Sequence, residues 1–554
     1  MRRRILLSAT FLSVLLTVTG CLKEILPDTY ATDDQLAQSA DALDGILNGI
    51  PAQMVTPYFS NGSRSSNDFD FSYPALMVMW DTIAGELVLN GRDNYDWFMY
   101  WGRNNLGLGP DSGQVALLPW KATYKYIRTC NNLVGIIGYE PENAHIQEIL
   151  GQALAYRALF YLNLARMYEF KPVTDPSVSS SYQADPAILG LTVPLVLENM
   201  GVEQTRNNPR ASVEEIYRQI FSDLDKAEEM LLDKGASDKV FPDLAVVYGI
   251  KARAYLERGS AGEEGAFAKA AEYAGLAISA FGGSPLTQDQ WENPITGFND
   301  YLANSNSWMW YVPVDPDHVH NLGSFVSHMS NEETWTSYGW NSARGINREV
   351  YDRLPDSDWR KHAWIDPRYN FYYNYRVNRA IDGVINSTEK GLPPYANLKF
   401  RPAGGEYSAY MEGGAVDIPL MRVEEMYLIR AEALAMSGDL PGGKAALTQL
   451  MLTRNPAFSC EDIASATEFQ QEVFFHKRVE LWGEGLIYFD CKRLATGIHL
   501  GYAGTNALDK YRYNVTGISP AWNFVIPHSE LLGNPPLQDT NNPDPTNVLT
   551  LWTN

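Results

Sequence analysis

Residues 147–168, QEILGQALAYRALFYLNLARMY, place Ile149, Ala153, Tyr156, Phe160, Leu164 and Met167 at steps of three or four. Only an α-helix gathers such a spacing onto one face, because its 3.6-residue repeat stacks those side chains above one another. A helix of this length with that much apolar surface needs neighbours to cover it. Packed helices are therefore the fold the chain must build. Pro172 follows as a stop. Ser212 and Glu215 open SVEEIYRQIFSDLDKAEEMLL as a capping box before an amphipathic run. Further helices are predicted over residues 244–258, 266–279, 423–437, 444–452 and 469–493.

Two of these groups read as helix–turn–helix repeats. Ala433 and Ala445 lie twelve residues apart across a turn bearing Gly438, and Ala270 and Ala277 lie seven apart. Small residues at these spacings let paired helices approach closely, as in a degenerate tetratricopeptide array; an alanine-rich bundle is the alternative. Either way the fold class is mainly α. Between residues 281 and 419 the pattern fails, interrupted every few positions by Gly, Pro, Asn and Asp. Seven of the 14 tryptophans fall in residues 291–364: Trp291, Trp308, Trp310, Trp335, Trp340, Trp359 and Trp364. YNFYYNY follows at 369–375. A long irregular insertion on a rigid scaffold is where function is expected.

The N-terminus predicts export. Arg2, Arg3 and Arg4 precede an apolar run over residues 5–18, which at 14 residues is short for a membrane span. Val18-Thr19-Gly20-Cys21 then has the form of a lipoprotein cleavage site, with an ordinary cleaved signal before a chance cysteine as the alternative. The mature chain is expected to begin at a lipidated Cys21, since several acyl chains on one residue anchor stably. Cys130, Cys460 and Cys491 form no CxxC pair and read as buried small apolar residues, with one disulfide among them left open. A formal charge of −22 argues against a nucleic-acid partner, because nothing would offset phosphate repulsion.

Glu480 and Glu484, four apart on the predicted 469–493 helix, with Asp490 nearby, could form a glycosidase pair. Arg478, Lys492 and Arg493 in the same segment point instead to an ion-pair network, and Glu432, Arg157 and Arg430 read the same way. Asp315, Asp317, His318 and His320 in DPDHVH offer oxygen and nitrogen ligands but read as a solvated turn. There is no G-x-S-x-G, P-loop or dinucleotide fingerprint. No catalytic residue, metal site or cofactor is predicted.

YDWFMYWGRN, residues 95–104, is the stretch that points to a ligand. If extended, Tyr95, Trp97, Met99 and Trp101 share a face; if helical, Trp97 and Trp101 stack four apart. Sugars offer apolar C–H faces edged by hydroxyls, and flat rings with polar groups at the rim suit them. Trp97 and Trp101 supply the rings, and Asp81, Arg92 and Asn104 the rim.

Several stretches together resemble the SusD/RagB family of outer-membrane nutrient-binding lipoproteins of Bacteroidetes. They are LGQALAYRALFYLNLARMYEFKPV with GLTVPLV, IPLMRVEEMYLIRAEALAMSGD, FHKRVELWGEGLIYFDCKRL, and FVIPHSELLGNPPL. His476 and Lys477 depart from the usual residues, Ile487 replaces a common Arg, and only Glu24 supplies an early acidic residue after Cys21. The resemblance implies a signal peptide at 1–20, a lipid-anchored tether at 21–35 and a helical scaffold at 36–280. An irregular aromatic lobe at 281–419 and a C-terminal part at 420–554 complete it. It implies a non-catalytic surface lipoprotein that captures oligosaccharide for a SusC-like TonB-dependent transporter, with peptide as the RagB-type alternative. By motif position its ligand site would use Trp97, Trp101 and Asn104, joined by Trp335, Tyr338 and Trp340.

Overall fold

The computed structural model describes residues 33–552 except 38, 59–66, 90–95, 99–108, 110–113, 179–181, 183, 236–237, 294, 296–297, 337, 339–341 and 369–391. Cys21, Arg92, Trp101, Asn104, Trp340 and the YNFYYNY stretch lie outside the described residues.

Seven long helices precede the irregular region: α1 (Ala40–Val55), α2 (Tyr73–Ile83), α3 (Gln114–Ile137), α4 (Ala144–Tyr168), α5 (Val213–Leu231), α6 (Leu244–Ser260) and α7 (Ala266–Phe281). The irregular region holds the short α8 (Phe325–Met329) and α9 (Arg348–Arg353). Then come α10 (Val423–Met436), α11 (Leu440–Met451), α12 (Ala466–Glu480) and α13 (Ile487–Leu494). Helices α3 to α7 pack on one another in chain order, and α7 then packs on α10. Residues 282–422 therefore leave the stack and return to the same place. Their two ends meet where β2 (Trp308–Val312) pairs antiparallel with β4 (Ile418–Arg422).

Local sequence explains the elements. Every residue of α4 from Ile149 to Tyr168 is buried, so the stripe seen in the sequence is only part of a helix covered all round. Ser212 Oγ accepts from Glu215 N at 3.2 Å while Glu215 accepts from Ser212 N at 2.8 Å, closing the expected capping box. Gly443 lets α11 lie against α10, since a Cβ there would stand 2.7 Å from the Ala431 carbonyl. That helix starts at Leu440 rather than 444. Asp439 caps it through Gly442 N, and Pro441 sits in the first turn, where no N–H is needed.

The single helix expected over 469–493 is two. Gly483 (φ 77°) and Gly485 (φ 71°) are left-handed and end α12 at Glu480. Helices α1, α2 and α3 were not anticipated; Pro119 inside α3 and its polar Asn131 and Asn132 blur the apolar period there.

Trp291, Trp308, Trp310 and Trp364 are fully buried and Trp359 nearly so. Most described tryptophans of the irregular region thus form its core, and Trp335 among them keeps an exposed edge. Two further ribbons matter below: β1 (Val88–Leu89) with β3 (Arg344–Gly345), and β5 (Ile498–His499) with β6 (Asn514–Val515). Cys130, Cys460 and Cys491 are buried free thiols, which answers the disulfide question. No described helix is long and apolar enough to cross a membrane.

Candidate functional site

The described part of the aromatic segment is Asp96, Trp97 and Phe98, with Trp97 and Phe98 in a helical turn. Phe98 is buried and Trp97 half-buried. Asp96 is fully buried, and Arg344 Nη2 of β3 donates to its Oδ2 at 2.5 Å. Burying two charges is tolerable only when each satisfies the other. The same guanidinium donates from Nη1 to the His328 carbonyl at 2.5 Å and lies 5.7 Å from the Phe98 ring centre. One arginine thus ties the aromatic segment to the end of α8.

Around that latch the rings interlock. Phe71 stacks on His328 (5.2 Å, 19°), and Phe98 meets the same imidazole edge-on (5.1 Å, 85°). Tyr338 stacks on His328 at 4.4 Å, while Phe69 packs edge-to-face on Trp97 at 5.2 Å. Such contacts contribute about 0.5–1.5 kcal/mol each beyond area burial. His328 Nε2 donates to the Asp68 carbonyl at 2.9 Å, and Tyr338 Oη donates to the Asp68 carboxylate at 2.6 Å. Burial, reinforced by the Arg344 charge, pushes the His328 pKa down to about 3, so the ring is neutral.

Trp335 docks on α8 beside this group. Its Nε1 donates to Ser327 Oγ at 2.9 Å. Gly413 gives it room, because a Cβ there would come 2.9 Å from the indole. Tyr338 and Trp335 both dock on α8, through His328 and Ser327. Trp97, about 240 residues earlier, packs on Phe69 next to Phe98, which meets the same His328. Tyr338, expected at the ligand surface, is buried by that stacking. Sequence reasoning missed Phe69, Phe71, His328 and Arg344. The one available signal was Asp96 itself, an acid inside an aromatic run that demands a distant cation.

Asp81 is a correction. It was expected at a polar rim but is fully buried in α2, accepting from Gly485 N at 2.9 Å. Burial, with Glu86 and Glu484 nearby, pushes its pKa up to about 8. A neutral core acid of this kind cannot reach a ligand hydroxyl.

The suspected catalytic pair is an ion network. Glu484 lies in the glycine turn, not on the helix of Glu480, yet both turn to Arg422. Glu480 also takes Arg454 at 3.0 Å and Arg360 at 3.1 Å, and Glu484 takes Lys399 at 2.6 Å. Burial alone would raise the Glu480 pKa, but Arg454, Arg422 and Arg360 hold it well below the usual carboxylate range. A general acid needs the opposite shift. Glu432 is likewise buried between Arg493 and Lys477, and Arg157 between Asp223 and Glu198. In DPDHVH, Asp315 caps a short turn and pairs with His318 at 2.9 Å, both well exposed. No group of three or more His, Cys, Asp or Glu placed to hold a metal occurs among the described residues.

Known proteins share this architecture. Residues 90–256 match a SusD-like family described as starch-binding and associating with the outer membrane, and residues 305–529 match the SusD family. A SusD-like carbohydrate-binding protein of Bacteroides vulgatus superposes with a TM-score of 0.68 at 23% identity, over 91% of this chain and 98% of its own. A SusD superfamily protein of Bacteroides thetaiotaomicron gives 0.65 at 18%, over 91% and 100%. Surface glycan-binding protein A of Bacteroides thetaiotaomicron, in complex with laminarihexaose, gives 0.63 at 14%, over 91% and 99%. No curated protein matches the sequence.

Proposed function

The chain belongs to the SusD family, and from that premise we propose that it is a non-catalytic surface lipoprotein that captures oligosaccharide and hands it to a SusC-like TonB-dependent transporter. The observation that carries the ligand class is the ring group around His328, on which Tyr338 stacks and Phe98 packs, with Trp97 and Trp335 half-buried at its edges. The polar atoms of Tyr338 and Trp335 are spent on Asp68 and Ser327, and Tyr338 itself is buried, so the half-buried rings of Trp97 and Trp335 are what the cluster has to offer. Aromatic surface with charge sequestered beneath suits the C–H faces of a glycan. Trp101, Asn104, Arg92 and Trp340, which lie outside the described residues, belong to the same proposed site. Cys21 carries the proposed anchor, and the outer face of the outer membrane is the proposed location.

Weak capture suffices, since a Kd near 1 mM corresponds to about −4 kcal/mol and tethering beside a transporter raises the local concentration. The burial of Glu480 and Glu484 supports the non-catalytic part. The test is calorimetric titration of the mature chain, without its lipid, against a panel of oligosaccharides and peptides. A Trp97→Ala/Trp101→Ala variant, checked for folding by circular dichroism, is run beside it. Glycan binding lost in the folded variant is the expected result. Binding of peptides alone would replace the glycan reading with the RagB-type one, and hydrolysis of any glycan would overturn the non-catalytic reading.

A further inference from the structure

A second polar groove, of about 240 Å³, opens between α9, α12 and β5. It shares no lining residue with the aromatic cluster. Charge is abundant in its walls but already matched. Arg478 Nε sits 2.9 Å from both Glu86 oxygens. Arg353 pairs with Glu472 and covers the Phe475 ring at 3.8 Å. Glu349 accepts from His499 Nδ1 at 2.9 Å. A groove whose cations all have carboxylate partners asks no charge of its ligand.

What remains is a mixed set of donors and acceptors. His499 Nδ1 is taken by Glu349, which leaves the Nε2 edge of the ring toward the groove. The Gln471 amide offers both roles, and Arg478 Nη1 offers a donor. None of these three has a hydrogen-bond partner among the described residues. Hydroxyl groups, which donate and accept at once, fit such a set; an anionic group would face the Glu349 and Glu86 carboxylates in the groove wall.

The geometry is also pre-set. His499 lies flat against Tyr502 at 5.0 Å and 30°. Buried Asn347 donates to the His499 carbonyl at 3.0 Å and accepts from Glu349 N and Tyr502 Oη at 3.0 Å, fixing both walls from below. Asn347 stands three residues beyond Arg344, the latch of the aromatic cluster. Pockets for drug-sized ligands begin near 300 Å³, so a groove of about 240 Å³ suits one sugar ring.

We propose that this groove is a second sugar subsite, accepting one neutral, hydroxyl-rich pyranose unit of the captured glycan. It rests on the reading that the chain captures oligosaccharide, but on different residues. The test is methyl NMR of the mature chain labelled at Ile and Val, with Ile498 reporting the groove and Val326 of α8 the aromatic cluster. Glucose, galactose, mannose, their trisaccharides and glucuronate are the titrants. Saturable movement of the Ile498 signal with a neutral sugar is expected. His499→Ala and Gln471→Ala should each weaken it about fivefold, the effect of one lost hydrogen bond, and the exposed, distant Leu302→Ala should leave it unchanged. Movement of Val326 alone would overturn the groove and leave the aromatic reading standing. Movement of Ile498 alone would do the reverse. No movement of Ile498 with any sugar, or movement with glucuronate only, would overturn the proposal.

Discussion

Around Glu480, the side chains of Arg360, Arg422, Arg454, Glu424, Glu484 and Lys399 converge with no exposure to speak of. Around His328, one buried ion pair, Asp96–Arg344, holds a set of rings whose outer members, Trp97 and Trp335, stay half-buried. The first region spends every charge on another charge and keeps nothing for a ligand. The second spends the Asp96–Arg344 pair on placement and leaves apolar ring surface over. Carboxylate density is thus a poor guide to chemistry in this molecule, whereas a buried acid inside an aromatic run, Asp96, marks the place where surface has been organised.

That contrast can be broken at four points. Glu480→Ala should give the largest effect, a stability loss of about 3–5 kcal/mol, because three buried arginines lose their shared partner. A urea midpoint close to wild type would mean the site is not the keystone described. Arg344→Met should cost about 3 kcal/mol and also abolish glycan binding, and Asp96→Asn/Arg344→Met should recover part of the stability without the binding. Full binding in a folded Arg344→Met protein would remove the latch from the account.

The third point is pH. The folded His328 pKa is depressed to about 3, below the ordinary value of 6.5, so the unfolded chain takes up the proton first on acidification. Stability contributed by the neutral ring is complete above 6.5 and lost as pH falls toward 3. At pH 5 this amounts to about 2 kcal/mol. Glu432, held down to about 2 by Arg493 and Lys477 against the effect of burial, acts with the same sign. The difference between wild type and His328→Gln isolates the histidine, and equal slopes for the two between pH 4 and 6.5 would contradict its burial as a neutral ring.

The smallest stability change belongs to Trp97→Ala. It should cost about 1 kcal/mol, against about 3–5 kcal/mol for the fully buried Trp310→Ala. Yet it is Trp97→Ala that should weaken glycan binding, by about tenfold or about 1.4 kcal/mol. If Trp310→Ala in a folded protein lowers affinity more, the division between core and site tryptophans is wrong.

How much of this was legible in the sequence follows the range of each interaction. Ile149 to Met167 and the Ser212–Glu215 box are local patterns, and both elements formed where they were read. Gly483 and Gly485 are local too, but their left-handed backbone was masked by apolar residues on either side that continue a helical rhythm. Asp96 meets Arg344 across 248 residues and Asp81 meets Gly485 across 404. No spacing rule reaches that far, so the first partner was missed and the second residue was misplaced on a surface. Trp97, Trp335 and Tyr338 were chosen by residue type and by resemblance. That Tyr338 and Trp335 dock on α8 is set by tertiary packing.

The most direct measurement is a crystal structure of the mature chain soaked with the oligosaccharide that binds it best. The account predicts a sugar ring packed against Trp97 beside Tyr338 and Trp335, with the Asp96–Arg344 pair intact below. A glycan seated away from α8, with Trp97 untouched, would contradict it.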